Sequence, residues 1–368
     1  MRKGWEYKRW KEVLTIINGK NQSAVVDENG EYPIYGSGGI MGYANNWLCP
    51  ENCVIIGRKG NINKPIFVET KFWNVDTAFG LNANKEYLLP KFLYYFCLDY
   101  NFERHNKAVT IPSLTKADLL KIDIPLPPKS TQLAIVSELD KINELIRLKK
   151  EQLKDFDNLA QSLFYEMFGD PVENEKGWEV SSVENVCSSI VRGPFGSALK
   201  KEFFVEPNSN TYKVYEQKHA IQKDAKIGSY YVTEEKFKEL SRFEVKSGDI
   251  IMSCSGTIGE LFIIPPNAEK GLMNQALLKF TLNNQIYKRF FLFLMDCVKK
   301  DFTVRGTGLQ NIGSVKIIKA MTFGLPPLSL QRLFAQRIEQ IEREKSQVQK
   351  SIRDLETLQA SRMQYWFE

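Results

Sequence analysis

The sequence has 368 residues, of which 43% are hydrophobic and 12% aromatic, enough to build two or three folded cores and to exclude a disordered chain. No apolar run reaches about 18 residues, the length that crosses a bilayer, and the N-terminus lacks the apolar stretch of a secretory signal. We therefore expect a cytoplasmic protein with no membrane partner. The net charge of +6 arises mainly in residues 1–128 and 169–328, which suits a nucleic-acid partner but also an ordinary soluble protein.

The first block, residues 1–128, reads as short strands, glycine-rich turns and helical runs. It opens with a Gly-Trp stretch, Gly4–Val13, and continues with a buried apolar strand and a glycine-bearing turn in Glu51–Ile62. Asp76–Phe79 then precedes an aromatic run that indicates a helix. A polar loop leads to the last strand, which ends at Leu126-Pro127-Pro128. The block is therefore predicted to be a mixed α and β domain.

Residues 129–168 predict one long helix. Apolar residues follow one another at steps of three and four, the spacing of a helix that packs along one seam. Ser130 is placed to cap the first turn. At about 1.5 Å per residue the helix would be about 60 Å long. Its seam contains Ile135, Leu139, Ile142, Ile146, Lys149, Leu153, Phe156, Ala160, Leu163 and Met167.

The second half of the chain repeats this order. In residues 169–328, Gly177–Val186 matches the first Gly-Trp stretch, Ser247–Gly259 matches the strand and glycine turn, and Asn274–Leu277 aligns with Asp76–Phe79. The prolines of Leu325-Pro326-Pro327 lie 199 residues after those of the first copy. A period this long predicts two copies of one unit.

A second helix is predicted over residues 329–368, with Ser329 as its cap. It repeats the seam at Ile338, Ile341, Val348, Ile352, Leu355 and Trp366, with polar interruptions at Lys345, Gln359 and Arg362. If the two helices pair through their seams, a short chain path makes them antiparallel, with one block at each end. The predicted fold class is α+β: two similar mixed domains joined by two long helices in an antiparallel coiled coil, a dumbbell with approximate two-fold symmetry.

A repeated block followed by a repeated long helix that opens with Leu-Pro-Pro…Gln, ending at Gln132 and at Gln331, resembles the specificity subunit of type I restriction-modification systems. The Gly-Trp starts, the two strand-turns and the Leu163–Asp170 ending of helix one carry the same resemblance. It implies that residues 1–128 and 169–328 are target recognition domains, each reading one half of a bipartite double-stranded DNA sequence. It also implies that the helices set the spacing and dock two methyltransferase subunits, with restriction subunits joining them.

Sequence reading needs Lys and Arg for phosphates and Arg, Asn, Gln or Ser for base edges, on loops that reach the DNA. Each candidate for a DNA contact can also be interpreted as an ordinary solvated or turn-forming side chain. The candidates of the first block are Arg58, Lys59, Asn61, Lys64, Arg104, His105, Asn106 and Lys107. Those of the second block are Arg192, Ser197, Lys218, His219, Ser255, Thr257, Arg305, Gln310 and Asn311.

We expect no catalysis, no cofactor and no metal in this chain. The alternative is a self-contained S-adenosylmethionine-dependent DNA methyltransferase, but none of the Pro-Pro pairs follows the Asn or Asp that such enzymes place against a flipped base. The glycines of Pro33–Gly39 are interpreted as turn formers. Two histidines in different blocks do not make a metal site or a triad, and the scattered cysteines are expected to be reduced. S-adenosylmethionine, ATP and Mg²⁺ are expected in partner subunits.

Overall fold

The computed structural model of the protein describes residues 4–106, 112–299 and 315–367, and only the backbone of residues 196 and 197. The chain forms two compact units. Unit 1 comprises Met1–Gln152 and Val348–Glu368, and unit 2 comprises Leu153–Gln347. Each unit thus holds one block and one half of each long helix. The division into four segments stays a prediction, because the compact units cut both helices near the middle.

Unit 1 alternates short strands with short helices before the first long helix begins. Its elements are β1 (Glu6–Arg9), α1 (Trp10–Val13), β2 (Leu14–Asn18), β3 (Tyr32–Gly36), β4 (Gly39–Ala44), β5 (Cys53–Gly57), β6 (Ile66–Val68), β7 (Trp73–Asn74), β8 (Ala78–Ala83), α2 (Pro90–Asp99), α3 (Lys116–Leu119), β9 (Asp123–Leu126) and α4 (Lys129–Phe168), with a 3-10 helix over Phe102–His105.

Unit 2 has the same kind of alternation with more segments. Its elements are β10 (Glu179–Ser182), β11 (Cys187–Arg192), β12 (Thr211–Tyr215), α5 (Gln217–Gln222), β13 (Tyr231–Thr233), α6 (Glu234–Glu239), β14 (Glu244–Val245), β15 (Ile250–Ser253), β16 (Leu261–Ile263), β17 (Gly271–Met273), β18 (Leu277–Leu282), α7 (Lys288–Val298), α8 (Val315–Lys319), β19 (Thr322–Leu325) and α9 (Leu328–Phe367). Three 3-10 helices cover Gly196–Leu199, Lys201–Phe203 and Ser241–Phe243.

The sheets of the two units share one topology. Each has an antiparallel sheet, β2-β8-β5-β6 in unit 1 and β11-β18-β15-β16 in unit 2. Each has a second sheet around a parallel pair, β3 with β7 and β12 with β17, and a two-stranded ribbon, β1 with β9 and β10 with β19. Unit 2 adds β14, α5 and α6 between the strands of its parallel pair. The duplication predicted from the sequence is therefore present in the fold.

One part of the sequence correspondence is wrong by one residue. The amide of Val75 donates to the carbonyl of Tyr35, and the amide of Asn274 donates to that of Tyr215, so Val75 is the structural equivalent of Asn274. The sequence comparison of the two blocks instead aligned Asp76 with Asn274. It did so because it matched two polar side chains, whereas the backbone hydrogen bonds define the register.

The first long helix begins at Lys129, as predicted, and the second begins at Leu328, one residue earlier than predicted. The carbonyl of Pro128 accepts from the amide of Gln132 at 3.0 Å, and that of Pro327 accepts from Gln331 at 3.2 Å, so the helices start at Lys129 and Leu328. Ser130 and Ser329 are therefore second residues of their helices, not caps, which corrects the prediction. The prolines fit the junction because they lack the amide that an extended strand would have paired.

Within each unit the two helix segments run antiparallel. In unit 1, side-chain hydrogen bonds join Glu138 with Arg362, Asn143 with Gln359, and Lys150 with Glu356, so residue numbers rise along one helix and fall along the other. In unit 2, Asp157 pairs with Lys345, and the ring of Phe164 lies 5.6 Å from that of Phe334. The predicted fold class, two similar α+β domains with two long antiparallel helices, is confirmed.

The core of each unit is built jointly by the first sheet, the aromatic helix and the helix ends. In unit 1, α2 packs with the α4 residues Ile135 and Leu139 and with Met363 of α9. In unit 2, α7 packs with Phe164 and Phe168 of α4. The seam residues near the helix centres, Leu153, Phe156 and Leu355, are only half-buried. Among the described residues, no helix is both long and apolar enough to cross a membrane.

Candidate nucleic-acid interface

The glycine turn after β5 presents the basic candidates of unit 1. Gly60 has a φ of +78°, a conformation that glycine adopts without strain, and it reverses the chain so that Arg58, Lys59 and Asn61 are exposed. The Arg58 amide donates to the carbonyl of Thr77 at 2.8 Å. The turn is therefore fixed to the sheet while its side chains face solvent, as a DNA-reading loop requires.

The second candidate segment of unit 1 lies directly beside this turn. The amide of Leu114 donates to the Arg58 carbonyl at 2.9 Å, and that of Gly60 donates to the Pro112 carbonyl at 3.1 Å. Asn63 Oδ1 accepts from the amide of Phe102 at 2.8 Å. This bond connects the segment after the glycine turn to the 3-10 helix that carries the exposed Arg104. Two stretches far apart in sequence thus share one surface. Lys107 lies outside the described residues.

Two other candidates of unit 1 are engaged within the protein. The ring of His105 stacks on that of Tyr100, and His105 Nε2 lies 2.6 Å from the Tyr100 hydroxyl. Asn106 Oδ1 accepts from the amide of Ser113 at 3.1 Å. Both side chains are half-buried and make these contacts within unit 1.

The β3–β4 hairpin joins this surface and was missed as a site from the sequence. Ser37 Oγ lies 3.5 Å from the Lys59 carbonyl oxygen, so the hairpin tip borders the basic turn. Ser37 and Gly38 form the turn, and Gly39, with a φ of +124°, begins β4 directly after it. The next residues, Ile40 and Met41, are 56% and 64% exposed. The available signal was two apolar residues immediately after a cluster of glycines.

The equivalent turn of unit 2 follows β15. Gly256, with a φ of +66°, occupies the position of Gly60, and the flanking Ser255 and Thr257 are at least partly open to solvent. Ser253 Oγ donates to the Thr257 carbonyl at 2.5 Å and accepts from the Glu260 amide at 3.0 Å. The turn therefore has the same shape as in unit 1 but is anchored by a buried serine and carries no cation at its tip.

Helix α5 of unit 2 lies against this turn. A Cβ atom built on Gly256 would be 3.7 Å from Gln217 Nε2. Lys218 pairs with Glu216 at 2.6 Å and lies over the Tyr230 ring. Gln217 was not among the sequence candidates, because nothing in one sequence shows that the connection after β12 approaches the turn after β15.

His219 is an interior residue. Its ring is fully buried, Nδ1 accepts from the Glu216 amide at 2.9 Å, and Nε2 donates to the Ile227 carbonyl at 2.7 Å. Burial lowers the pKa of the imidazole below its ordinary value. The expectation of a DNA contact from His219 is therefore corrected: a buried ring with both nitrogens bonded to backbone is structural.

A third segment of unit 2 follows β11. Arg192 Nε lies 3.5 Å from the Gln275 carbonyl, and its guanidinium lies 5.9 Å from the ring of Phe195. Phe195 is 75% exposed, an unusual position for a large apolar ring and one that the sequence reading missed. Ser197 lies two residues further on, in a 3-10 helix. Arg305, Gln310 and Asn311 lie outside the described residues.

Glycine makes the same close approach at the end of β2 and of β11. A Cβ on Gly19 would lie 1.8 Å from the Val75 carbonyl oxygen, and one on Gly193 would lie 1.8 Å from that of Asn274. No other residue fits such a space. The segments that carry the candidate residues are therefore held by one backbone frame in both units, while the side chains on it differ.

The thiols give no sign of reactivity or metal binding. Among the described residues no disulfide joins any two cysteines, and burial raises the pKa of Cys53 and of Cys187 to about 12, so both remain protonated at neutral pH. Across the described residues, no cluster of three or more His, Cys, Asp and Glu side chains has the geometry of a metal site.

Comparison with known proteins agrees with this architecture. The family model for the type I restriction modification DNA specificity domain matches residues 2–155 and 175–356. A Haemophilus influenzae protein described as a type I restriction enzyme specificity subunit is 24% identical over 361 residues, covering 92% of this chain and 87% of that protein.

Two solved structures share the fold. One, from a study of complex assembly and conformational transition of the type I restriction-modification system, aligns with a TM-score of 0.65 at 16% identity, over 99% of this chain and 97% of the other. The other, the type I system S subunit from M. genitalium, aligns with a TM-score of 0.58 at 16% identity, over 100% and 98% of the two chains. The predicted resemblance is confirmed: the chain belongs to the type I restriction-modification DNA specificity family.

Proposed function

We propose that this protein is the sequence-specificity subunit of a type I restriction-modification complex and that each unit reads one half of a bipartite DNA target. The observation that carries the proposal is the duplication of one backbone frame with different side chains on it. Arg58, Lys59 and Asn61 stand in unit 1 where Cys254, Ser255 and Thr257 stand in unit 2. Two domains that share a backbone fold but carry different side chains suit the recognition of two different half-sites.

The basic candidates would contact phosphates and the polar ones base edges. Arg58, Lys59, Lys64 and Arg104 are exposed in unit 1, and exposed cations attract the DNA backbone. In unit 2 we assign base contacts to Ser255, Thr257, Gln310 and Asn311, and backbone contacts to Arg192, Lys218 and Arg305, with Lys107 completing unit 1. Ser197 stays a candidate, whereas His219 is left out.

The helices would fix the separation of the two readers and dock methyltransferase subunits, with restriction subunits joining the assembly. Half-sites on one face of DNA lie about 34 to 36 Å apart per turn, a distance that a stiff helix pair keeps and a flexible linker does not. In unit 1, α4 exposes Leu133, Leu145 and Leu148, apolar side chains that a partner helix would cover. We assign S-adenosylmethionine, ATP and Mg²⁺ to these partners, and the complex to the cytoplasm.

Mapping of methylated adenines tests this proposal. In a host that carries this chain with its partner methylase, we expect one split motif with an unread gap. Asn61→Ala should alter or relax one half of that motif only, and Ser255→Ala with Thr257→Ala the other half only, because these polar side chains are the ones assigned to base edges. The matched control is Lys11→Ala, an exposed lysine of α1, which should leave both halves unchanged. A contiguous motif, or no methylation in the complete system, would overturn the proposal.

The absence of catalysis in this chain is tested separately. The purified chain, given S-adenosylmethionine and duplex DNA, should transfer no methyl group until the methylase partner is added. Methyl transfer by the chain alone would favour the alternative, a self-contained DNA methyltransferase.

A further inference from the structure

The tip of the β3–β4 hairpin holds two apolar side chains in solvent at the edge of a basic turn. Ile40 and Met41 are 56% and 64% exposed, and Ser37 of the same tip lies 3.5 Å from the Lys59 carbonyl oxygen. A Cβ atom built on Gly38 would lie 4.0 Å from the side-chain amide nitrogen of Asn61, so this glycine also borders the turn. Exposed apolar residues so close to cations suit a partner that is itself both apolar and anionic.

The hairpin holds these side chains in a defined position. Ile34 pairs with Gly42 but Tyr35 pairs with Ile40, so Met41 is the extra residue of a β-bulge. A bulge re-aims the side chain it carries. Met41 Sδ lies over Gly36, where a Cβ atom would come within 2.6 Å of it. Met41 is therefore supported by the backbone beneath it and projects from the tip in a restricted orientation.

The same place in unit 2 is polar. The connection after β12, the equivalent of β3, brings Gln217 against the glycine turn at Gly256, as the hairpin tip lies against the turn at Gly60 in unit 1. If this location docked one kind of protein partner in both units, both would present an apolar surface. A position that has the same surroundings in each unit but opposite polarity is what reading two different base sequences requires.

We propose that Ile40 and Met41 read thymine in the half-site of unit 1, by apolar contact with the C5-methyl group in the major groove. Among base edges in the major groove, thymine is the one that offers a methyl group, and apolar side chains recognise it. The major groove is also wide enough for two strands of β-sheet. Arg58 and Lys59 would hold the flanking phosphates while the tip enters between them. This inference rests on the proposed function, because it needs unit 1 to bind DNA.

Deoxyuridine scanning tests the proposal, because deoxyuridine keeps every hydrogen-bonding group of thymine and lacks only the methyl. The complex of this chain with its methylase is titrated with duplexes that carry the mapped split motif, each with one thymine replaced. For the wild-type chain we expect about a three- to fivefold loss of affinity at one or two thymines of one half-site, the size of one buried methyl group. No such loss is expected elsewhere in the motif.

The variants decide which residues read the methyl group. Ile40→Ala with Met41→Ala should bind the thymine and deoxyuridine duplexes of that half-site equally, while the other half-site keeps its full sequence requirement, which shows that the protein is folded. Val26→Ala, also an exposed apolar residue of unit 1, is the matched control and should keep the deoxyuridine penalty.

Three results would overturn the inference. They are equal affinity of the wild-type complex for every deoxyuridine duplex, a penalty that persists in the double variant, and a double variant that no longer assembles with its protein partners. Failure of the proposed function looks different, because then the wild-type system yields no split motif at all.

Discussion

Gln132 and Gln331 make the same three hydrogen bonds in the two units. Gln132 Oε1 accepts from the Leu89 amide at 2.9 Å, and its Nε2 donates to the carbonyls of Tyr87 at 2.9 Å and Pro127 at 3.0 Å. Gln331 Oε1 accepts from the Tyr287 amide at 2.9 Å, and its Nε2 donates to the carbonyls of Gln285 at 3.3 Å and Pro326 at 2.8 Å. Each glutamine is buried and ties the start of a long helix to the residue before the aromatic helix.

Replacing Gln132 by leucine should therefore loosen unit 1 at this junction. The change leaves two carbonyls and one amide without partners in the interior, which costs about 2 to 4 kcal/mol in the free energy of unfolding. Hydrogen exchange measured by NMR should speed up at the Leu89 amide, and for Gln331→Leu at the Tyr287 amide. Gln336→Ala, at an exposed position of α9, is the control. An unchanged exchange rate at Leu89 would show that the bond seen here contributes nothing.

Phe164 should be a main source of stability in unit 2. Its ring lies within 6.0 Å of those of Phe168, Phe290, Phe293 and Phe334, and it is almost completely buried. Phe164→Ala leaves a cavity and should cost about 3 to 5 kcal/mol in thermal or denaturant unfolding.

The same substitution at Phe195 is the matched control for that prediction. Phe195 is largely exposed, so Phe195→Ala should change stability by less than about 0.5 kcal/mol. Because Phe195 lies beside Arg192 at the candidate surface, we expect it to weaken DNA binding instead. Equal loss of stability in both variants would contradict this assignment of core and surface.

The basic turn of unit 1 should determine part of the salt dependence of DNA binding. Each phosphate contact that is lost lowers the slope of log affinity against log salt by about 0.9. Arg58→Ala and Lys59→Ala should each reduce the slope by about this amount in titrations between about 0.05 and 0.2 M salt. Lys11→Ala should keep the wild-type slope, and a slope that no variant changes would exclude these side chains from phosphate contact.

Features that depend on the spacing of apolar residues and on repeated proline and glycine motifs could be predicted from the sequence. Helices of the right length, their antiparallel pairing and the glycine turns all follow from apolar spacing, from the Leu-Pro-Pro…Gln junctions and from Gly60 and Gly256. The second helix begins one residue earlier than predicted, and neither Ser130 nor Ser329 is a cap, because proline carbonyls close the first turns and a serine alone is only a weak signal.

Features that depend on long-range packing were not accessible from the sequence. Nothing local distinguishes His219, which is buried, from an exposed histidine beside a lysine. The approach of the β3–β4 hairpin to Lys59 and of Gln217 to Gly256 depends on how separate segments pack. The candidate site could therefore be assigned to the right loops, but the hairpin residues and Gln217 required the structure.

His219 should make unit 2 less stable in mild acid. Its neutral ring accepts from the Glu216 amide and donates to the Ile227 carbonyl, and burial lowers its pKa below the ordinary histidine value of about 6.5. Between that value and the lower pKa of the folded state, the unfolded chain binds the extra proton. The free energy of unfolding must therefore fall as the pH drops through this window, and it is independent of this group above it.

We expect the melting temperature of the wild-type chain to fall between pH 7.5 and pH 5.5. His219→Gln should be less stable at pH 7.5 by about 1 to 3 kcal/mol, because a buried backbone partner is lost, but its melting temperature should change less between the two pH values. Glu138 and Glu260 have lowered pKa values and titrate below this range, so they do not obscure the comparison. An equal pH dependence in wild type and His219→Gln would mean that the ring is accessible to protons in the folded state.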